Sequence, residues 1–288
     1  MSNSHDSSIR PHAHHFDSAH HEFESSKQGM WLFLLQEVLF FSGIFVVYAV
    51  IRGLNPEMFA AAAGLLDVKM GLTNTIVLIT SSLTMAMAVN AAQTDKKEQC
   101  VWYLIATFFL ACGFLVVKYF EYTHKFHMGI LPGAGFLNPS DTHVIIAQTF
   151  LISAAALTSF FVARSKTGFR LSKKSVWISI LFWAVSLYLT ISYWVGHHGE
   201  HRVVGQDAQN LIDQFAKAPL FFSVYFGATG IHGIHVLGGM VVIAWLISRA
   251  EDAEFNSKYF TPVELVGLYW HFVDLVWIFL FPLMYLVA

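Results

Sequence analysis

Seven stretches of this chain, each on the order of 20 residues or more, are apolar enough to cross ~30 Å of hydrocarbon, and no other feature restricts its fold so tightly. They run Met30 to Ile51, Leu72 to Ala92, Val101 to Phe120, His143 to Ala163, Val176 to Val195, Pro219 to Ile247 and Glu264 to Val287. Backbone placed in lipid must satisfy its own hydrogen bonds, which leaves helices or closed barrels. Barrel strands would be short and alternating, and these runs are long and unbroken. The expected fold is therefore an all-α, polytopic membrane bundle of about seven transmembrane helices. The second run is the weakest, because NTIVLITSSLTMAMAVNAA is rich in Ser and Thr; its hydroxyls can return their hydrogen bonds to the helix's own carbonyls or to a neighbouring helix.

With 56% hydrophobic and 12% charged residues, the composition agrees with a membrane protein. A formal net charge of −2, with no basic cluster interleaved with aromatics, gives no electrostatic case for nucleic acid. The two cysteines, Cys100 and Cys112, offer neither a disulfide framework nor a zinc spacing and are expected to be packing residues.

Residues 1–29 form a polar, His-rich tail without the apolar core of a signal peptide, and residues 30–288 the bundle. The tail is expected to be a solvated cytoplasmic arm that responds to pH near the imidazole range. Orientation follows from Lys and Arg. One side carries Arg10, Lys27, Lys96, Lys97, Arg164, Lys166, Arg170, Lys173, Lys174, Arg249 and Lys258, and the other only Arg52, Lys69, Lys125, Arg202 and Lys217. The N-terminus is placed inside the cell. The connection GHHGEHRVVGQDAQNLIDQFAKA is long and polar enough to hold a short surface helix.

Ionisable groups inside the spans carry the functional question, since each costs roughly 2.5–3.5 kcal/mol to insert at the bilayer centre and needs a partner. Glu37 lies in the first span and is a candidate for proton handling, because burial favours the neutral carboxyl. Lys118 and Glu121 stand three apart on one helical face, as an ion pair would. His232 and His235 repeat that spacing in the sixth span; Glu264, His271 and Asp274 form a stripe in the seventh, with Gly267 on the same face leaving room for a neighbour. A polar seam between these two spans would satisfy all five groups, and Gly238 and Gly239 fit close helix packing. The residues alone leave three functions open: a scaffold subunit whose polar seams fix packing, a proton-coupled transporter, or a haem or metal redox protein using His232, His235 and His271. An i, i+3 histidine pair on one helix suits bis-His haem poorly, and the transporter lacks paired broken spans.

YWHFVDLVWIFLF (269–281) and GATGIHGIHVLGG (227–239) resemble the closing spans of subunit III of haem-copper cytochrome c oxidases. GMWLFLLQEVLFFSGIF, NTIVLITSSLTMAMAV and KYFEYTHKFHMGILPG are similar to that family's glutamate-bearing span, the span after it, and its Lys/Glu-bearing span. The resemblance implies an accessory subunit with no catalytic centre, haem, copper or other metal site of its own, whose haem and copper sit in partner subunits. It also implies packing against subunit I, with subunit II and further respiratory subunits nearby, assistance to proton uptake, bound phospholipid, and a bacterial inner-membrane location. The equivalent scaffold subunit of a nitric oxide reductase-type complex is the alternative within the same resemblance. Compared with the family, residues 143–196 read as an inserted helix pair.

Overall fold

A computed structural model describes residues 16–132 and 206–286, with a few helical positions between 180 and 191. Within the described residues the chain is helical: α1 Ala19–Leu54, α2 Pro56–Ala63, α3 Val68–Gln93, α4 Lys97–His127, α5 Gln206–Gln214, α6 Ala218–Glu251 and α7 Thr261–Tyr285. Five of them, α1, α3, α4, α6 and α7, are long and apolar enough to cross a membrane. The expected spans at 143–163 and 176–195, the inserted pair, the loop from 133 onward and the first half of the tail lie outside the described residues.

Local chemistry explains where these helices begin. Ser18 accepts from the His21 amide and Asp67 from the Lys69 and Met70 amides, each relieving unpaired donors of a first turn. Pro56, Pro219 and Pro262 stand at or beside the first helical position, where a missing N–H costs nothing. Because of the Ser18 cap, α1 starts at Ala19 rather than at Met30, and the end of the polar tail is its first turns. A 36-residue helix is about 54 Å long, well beyond the hydrocarbon thickness. The hydroxyls of Thr73, Thr75 and Thr80 in α3 donate to the carbonyls of Lys69, Gly71 and Ile76, so the weakest span survives its polarity. The short surface helix expected before the sixth span is α5, with Ala208 and Leu211 on its buried face.

Helices α3, α4, α6 and α7 close a ring in which each packs on the next, α3 on α4, α4 on α6, α6 on α7 and α7 on α3. Helix α1 lies outside the ring against α6 and α7, and α2 packs on α6. Two glycines set the helix approach. A Cβ on Gly239 would meet Trp270 Cζ3 at 2.6 Å, and one on Gly71 would meet Phe281 Cε2 at 2.8 Å, so α7 lies closer to α6 and α3 than any larger residue allows. Gly267, expected to make room for a neighbour, faces Val89 and Met85 of α3. Cys100 and Cys112 are free and buried, as packing residues.

At the N-terminal end of α7, Lys27 meets Glu264 at 3.1 Å and Phe23 packs edge-on to Phe260, clasping the start of α1 to that of α7. Nearby, Asp95 has a positive φ of 57° in the α3–α4 turn and accepts from the Ser257 amide at 2.7 Å, tying that turn to the α6–α7 loop. The Ser257 amide and then its hydroxyl hold the Asp95 carboxyl below its usual range, with Lys258 adding to the effect. A lowered folded-state pKa contributes stability above the ordinary Asp range near 4, lost as pH falls through it. Asp95→Asn, which tolerates the left-handed backbone, is expected to unfold with a flatter pH profile than the native chain between about pH 5 and 3. Thermal melts of the purified protein across that interval would measure it, and parallel profiles would refute the link.

Candidate functional site

The ionisable residues collect in three places rather than one seam. In the first, near the C-terminal ends of α4 and α7, Glu121 is sealed from solvent and gathers four groups. Lys118 donates to its Oε2 at 2.8 Å, while Tyr225 and Tyr285 donate to Oε1 at 2.7 and 2.6 Å. Lys125 stands 4.0 Å away and also reaches the Leu65 carbonyl at 3.5 Å. The Lys118 ammonium donates to the Tyr285 hydroxyl at 2.7 Å and lies 4.5 Å from the centre of the Trp277 ring, a cation–π contact. The pairing of Lys118 with Glu121 follows the expected spacing. Lys125, counted above among loop charges, is instead buried within α4. Removing it from the outer side leaves the inner-side excess of basic residues intact. A carboxylate that accepts three charge-assisted or phenolic hydrogen bonds from α4, α6 and α7 is a tertiary lock.

The second place joins α1 to α6. Glu37 Oε2 and His235 Nε2 are 3.0 Å apart near the middle of both helices, and Nδ1 of the same ring lies 2.8 Å from the Ile231 carbonyl. A carbonyl only accepts, so Nδ1 carries a proton. In a neutral ring Nε2 is then an acceptor, and the hydrogen bond requires a protonated Glu37; in a charged ring Glu37 is a carboxylate. Either way one proton is shared between Oε2 and Nε2, and the pair has no net charge. Phe41 closes the site, its ring centre 5.0 Å from that of His235.

The third place lies between α3 and α7. His271 Nδ1 is 2.6 Å from the Ser82 hydroxyl, and Asp274, one turn further along α7, is buried with its Oδ1 unpartnered among the described residues. Helix α3 thus supplies His271 with the partner that α6 was expected to give. Glu264 is taken by Lys27 of α1. His232 is fully buried between Trp277 and Phe114, ring centres 5.3 and 5.5 Å away, and neither ring nitrogen has a hydrogen-bond partner among the described residues. The seam between the last two spans is therefore split, because their close approach is made by Gly239 against Trp270 and leaves no width for paired polar side chains there. His232, His235 and His271 face three different surroundings and do not converge. Among the described residues no group of three or more His, Cys, Asp or Glu side chains is placed to hold a metal.

Sequence reasoning did not find Ser82, Lys27, Tyr225, Tyr285 or Asn74. Screening for ionisable groups passes over hydroxyls and amides, and only three-dimensional placement brings Tyr285 beside a residue 164 positions away. Asn74 is buried on α3 with neither amide atom partnered among the described residues; NTIVLITSSL contained it, as a polar residue in the weakest span.

Comparison with known proteins fits this arrangement. The family description "Cytochrome c oxidase subunit III" matches residues 14–196 and 206–288. The chain is 25% identical over 260 residues to "Probable cytochrome c oxidase subunit 3" of Nocardia farcinica, covering 90% of this chain and 86% of that one. It is 28% identical over 160 residues to "Cytochrome c oxidase subunit 3" of Thermostichus vulcanus, covering 53% and 67%. It is 24% identical over 268 residues to "Heme-copper oxidase subunit I+III" of Aeropyrum pernix, covering 91% of this chain and 22% of that longer one. A multi-pass helical membrane protein matched over most of its length by this description belongs to the cytochrome c oxidase subunit III family.

Proposed function

We propose that the chain is the accessory subunit III of a haem-copper terminal oxidase in the bacterial inner membrane, where it stabilises the catalytic subunit I and assists proton uptake during aerobic electron transport. The observation that carries this is how the intramembrane charges are used: Glu121 and Lys118 bond to Tyr225 and Tyr285 of other helices, Lys125 reaches the Leu65 carbonyl, and Glu37 meets His235 across α1 and α6, all within this chain. A bundle built in this way is a rigid body to which other subunits attach. The Aeropyrum pernix relative, whose name joins subunits I and III, supports subunit I as the first neighbour. Haem and copper belong to those neighbours in this reading, subunit II is a further one, and phospholipid fills the apolar surface left over.

Proton assistance is assigned to the Glu37–His235 pair. Its single shared proton lies midway along α1 and α6, between a carboxyl oxygen and a ring nitrogen that can each hold it. Glu37→Gln keeps a donor for His235 Nε2 and removes the transferable proton. In the intact oxidase this variant is expected to assemble normally but to take up protons about two- to tenfold more slowly and to inactivate sooner during turnover. Unchanged proton-uptake kinetics and unchanged turnover-linked inactivation would refute the assignment.

A further inference from the structure

We propose that the groove between α3 and α7, centred on His271, is a docking surface for a transmembrane helix of a partner subunit that presents a hydroxyl or carboxamide side chain. The inference rests on the assembly reading above and says which face of this chain meets its neighbour.

Ser82 has one hydroxyl proton, and its oxygen lies 2.6 Å from His271 Nδ1. If Nδ1 carries the ring hydrogen, it donates to the Ser82 oxygen, and the far ring nitrogen Nε2 is left as an acceptor. If the Ser82 hydroxyl donates to Nδ1 instead, Nε2 carries the ring hydrogen and is left to donate it. In both arrangements Nε2 needs a complement from outside the pair. It has no partner among the described residues and, unlike the nitrogens of His232, is not sealed inside the protein.

His271 is only partly buried, and Ser82 and His271 lie near the middle of helices 26 and 25 residues long, so this nitrogen faces out near the bilayer centre. Lipid tails offer it nothing, and an unsatisfied polar group in hydrocarbon is costly. Exposed Ile79, Leu83, Leu275 and Ile278 surround it, giving an apolar face with one polar point, the pattern of helix–helix contacts in membranes. Hydroxyl and carboxamide groups can donate or accept, so either serves whichever proton arrangement holds. Helix α1 provides the contrast. Its outward face beyond Gly43, with Val46, Val47 and Val50, is aliphatic, and lipid suits it.

The test places the photo-crosslinking residue p-benzoylphenylalanine at Leu275, 50% exposed beside His271, or at Val46, 61% exposed on α1, in the assembled oxidase in its native membrane. Illumination at Leu275 is expected to join this chain to a partner subunit, with at least about fivefold more adduct than at Val46. Adding His271→Leu is expected to lower that yield about fivefold, whereas His271→Gln, which keeps hydrogen-bonding capacity, retains most of it. The single Leu275 probe decides the matter even if His271 variants fail to fold. Adducts formed only with lipid, or only with residues 143–196 of this chain, in a complex that purifies intact would overturn the docking surface while leaving the assembly reading standing. A purified oxidase that lacks this chain altogether would overturn both.

Discussion

Glu121→Ala is expected to destabilise the protein by about 3–5 kcal/mol, the usual cost of removing one partner from a buried ion pair. The loss is large because Glu121 is, among the described residues, the one carboxylate touching both Lys118 and Lys125, and because two phenols lose their acceptor at the same time. Two ammonium groups would remain in a sealed site. Lys118→Met should cost clearly less: the carboxylate keeps both tyrosine donors and has Lys125 at 4.0 Å, and methionine fills most of the vacated stem. The ordering is the sharp part of the expectation. Thermal inactivation of the purified complex, with retention of this chain through gentle detergent exchange as a second readout, would measure it. Equal losses for the two variants would show that Glu121 is not the hub.

The second large effect is steric. Gly239→Val is expected to cost about 2–3 kcal/mol or more, since overpacking a close helix contact forces side chains off their rotamers or moves backbone. Even a lone Cβ would lie 2.6 Å from Trp270 Cζ3, and the indole cannot withdraw easily. It is fully buried, and its Nε1 donates to Ser81 at 2.9 Å. Helices α6 and α7 would have to part, which also disturbs Tyr225 and Tyr285 at Glu121. Trp270→Phe removes the obstructing benzo ring, so Gly239→Ala combined with Trp270→Phe should recover much of what Gly239→Ala alone loses, less the Ser81 hydrogen bond. Melting temperatures of the two single variants and the double variant would test this; strict additivity would argue against a direct clash.

These two sites mark what the sequence could and could not disclose. Apolar runs located the five described spans to within a few residues at most ends, since hydrophobicity is a local property. There are two exceptions: the start of α1 came from a Ser18 cap that no hydropathy criterion detects, and α4 runs on past Phe120 to His127 because Glu121 and Lys125 pair inside the bundle. The i, i+3 pairing of Lys118 and Glu121 was legible because both lie on one helix. Their remaining partners were not, because Tyr225 and Tyr285 arrive from helices far along the chain. The supposed common seam failed for the same reason. Placing His232, His235, Glu264, His271 and Asp274 on adjacent spans ignored what lay on the other flanks: α1 claimed His235 and Glu264, and α3 claimed His271.

The distance along the chain between Glu37 and His235 bears on how the protein is made. They are separated by 198 residues, and at 5–20 residues per second the ribosome needs about 10–40 s to deliver the second after the first. Throughout that interval the glutamate must wait in the bilayer or at its surface without its mate. Insertion machinery that shelters a newly made first segment until the sixth emerges would meet this need, and cells short of such help should accumulate degraded fragments beginning within α1.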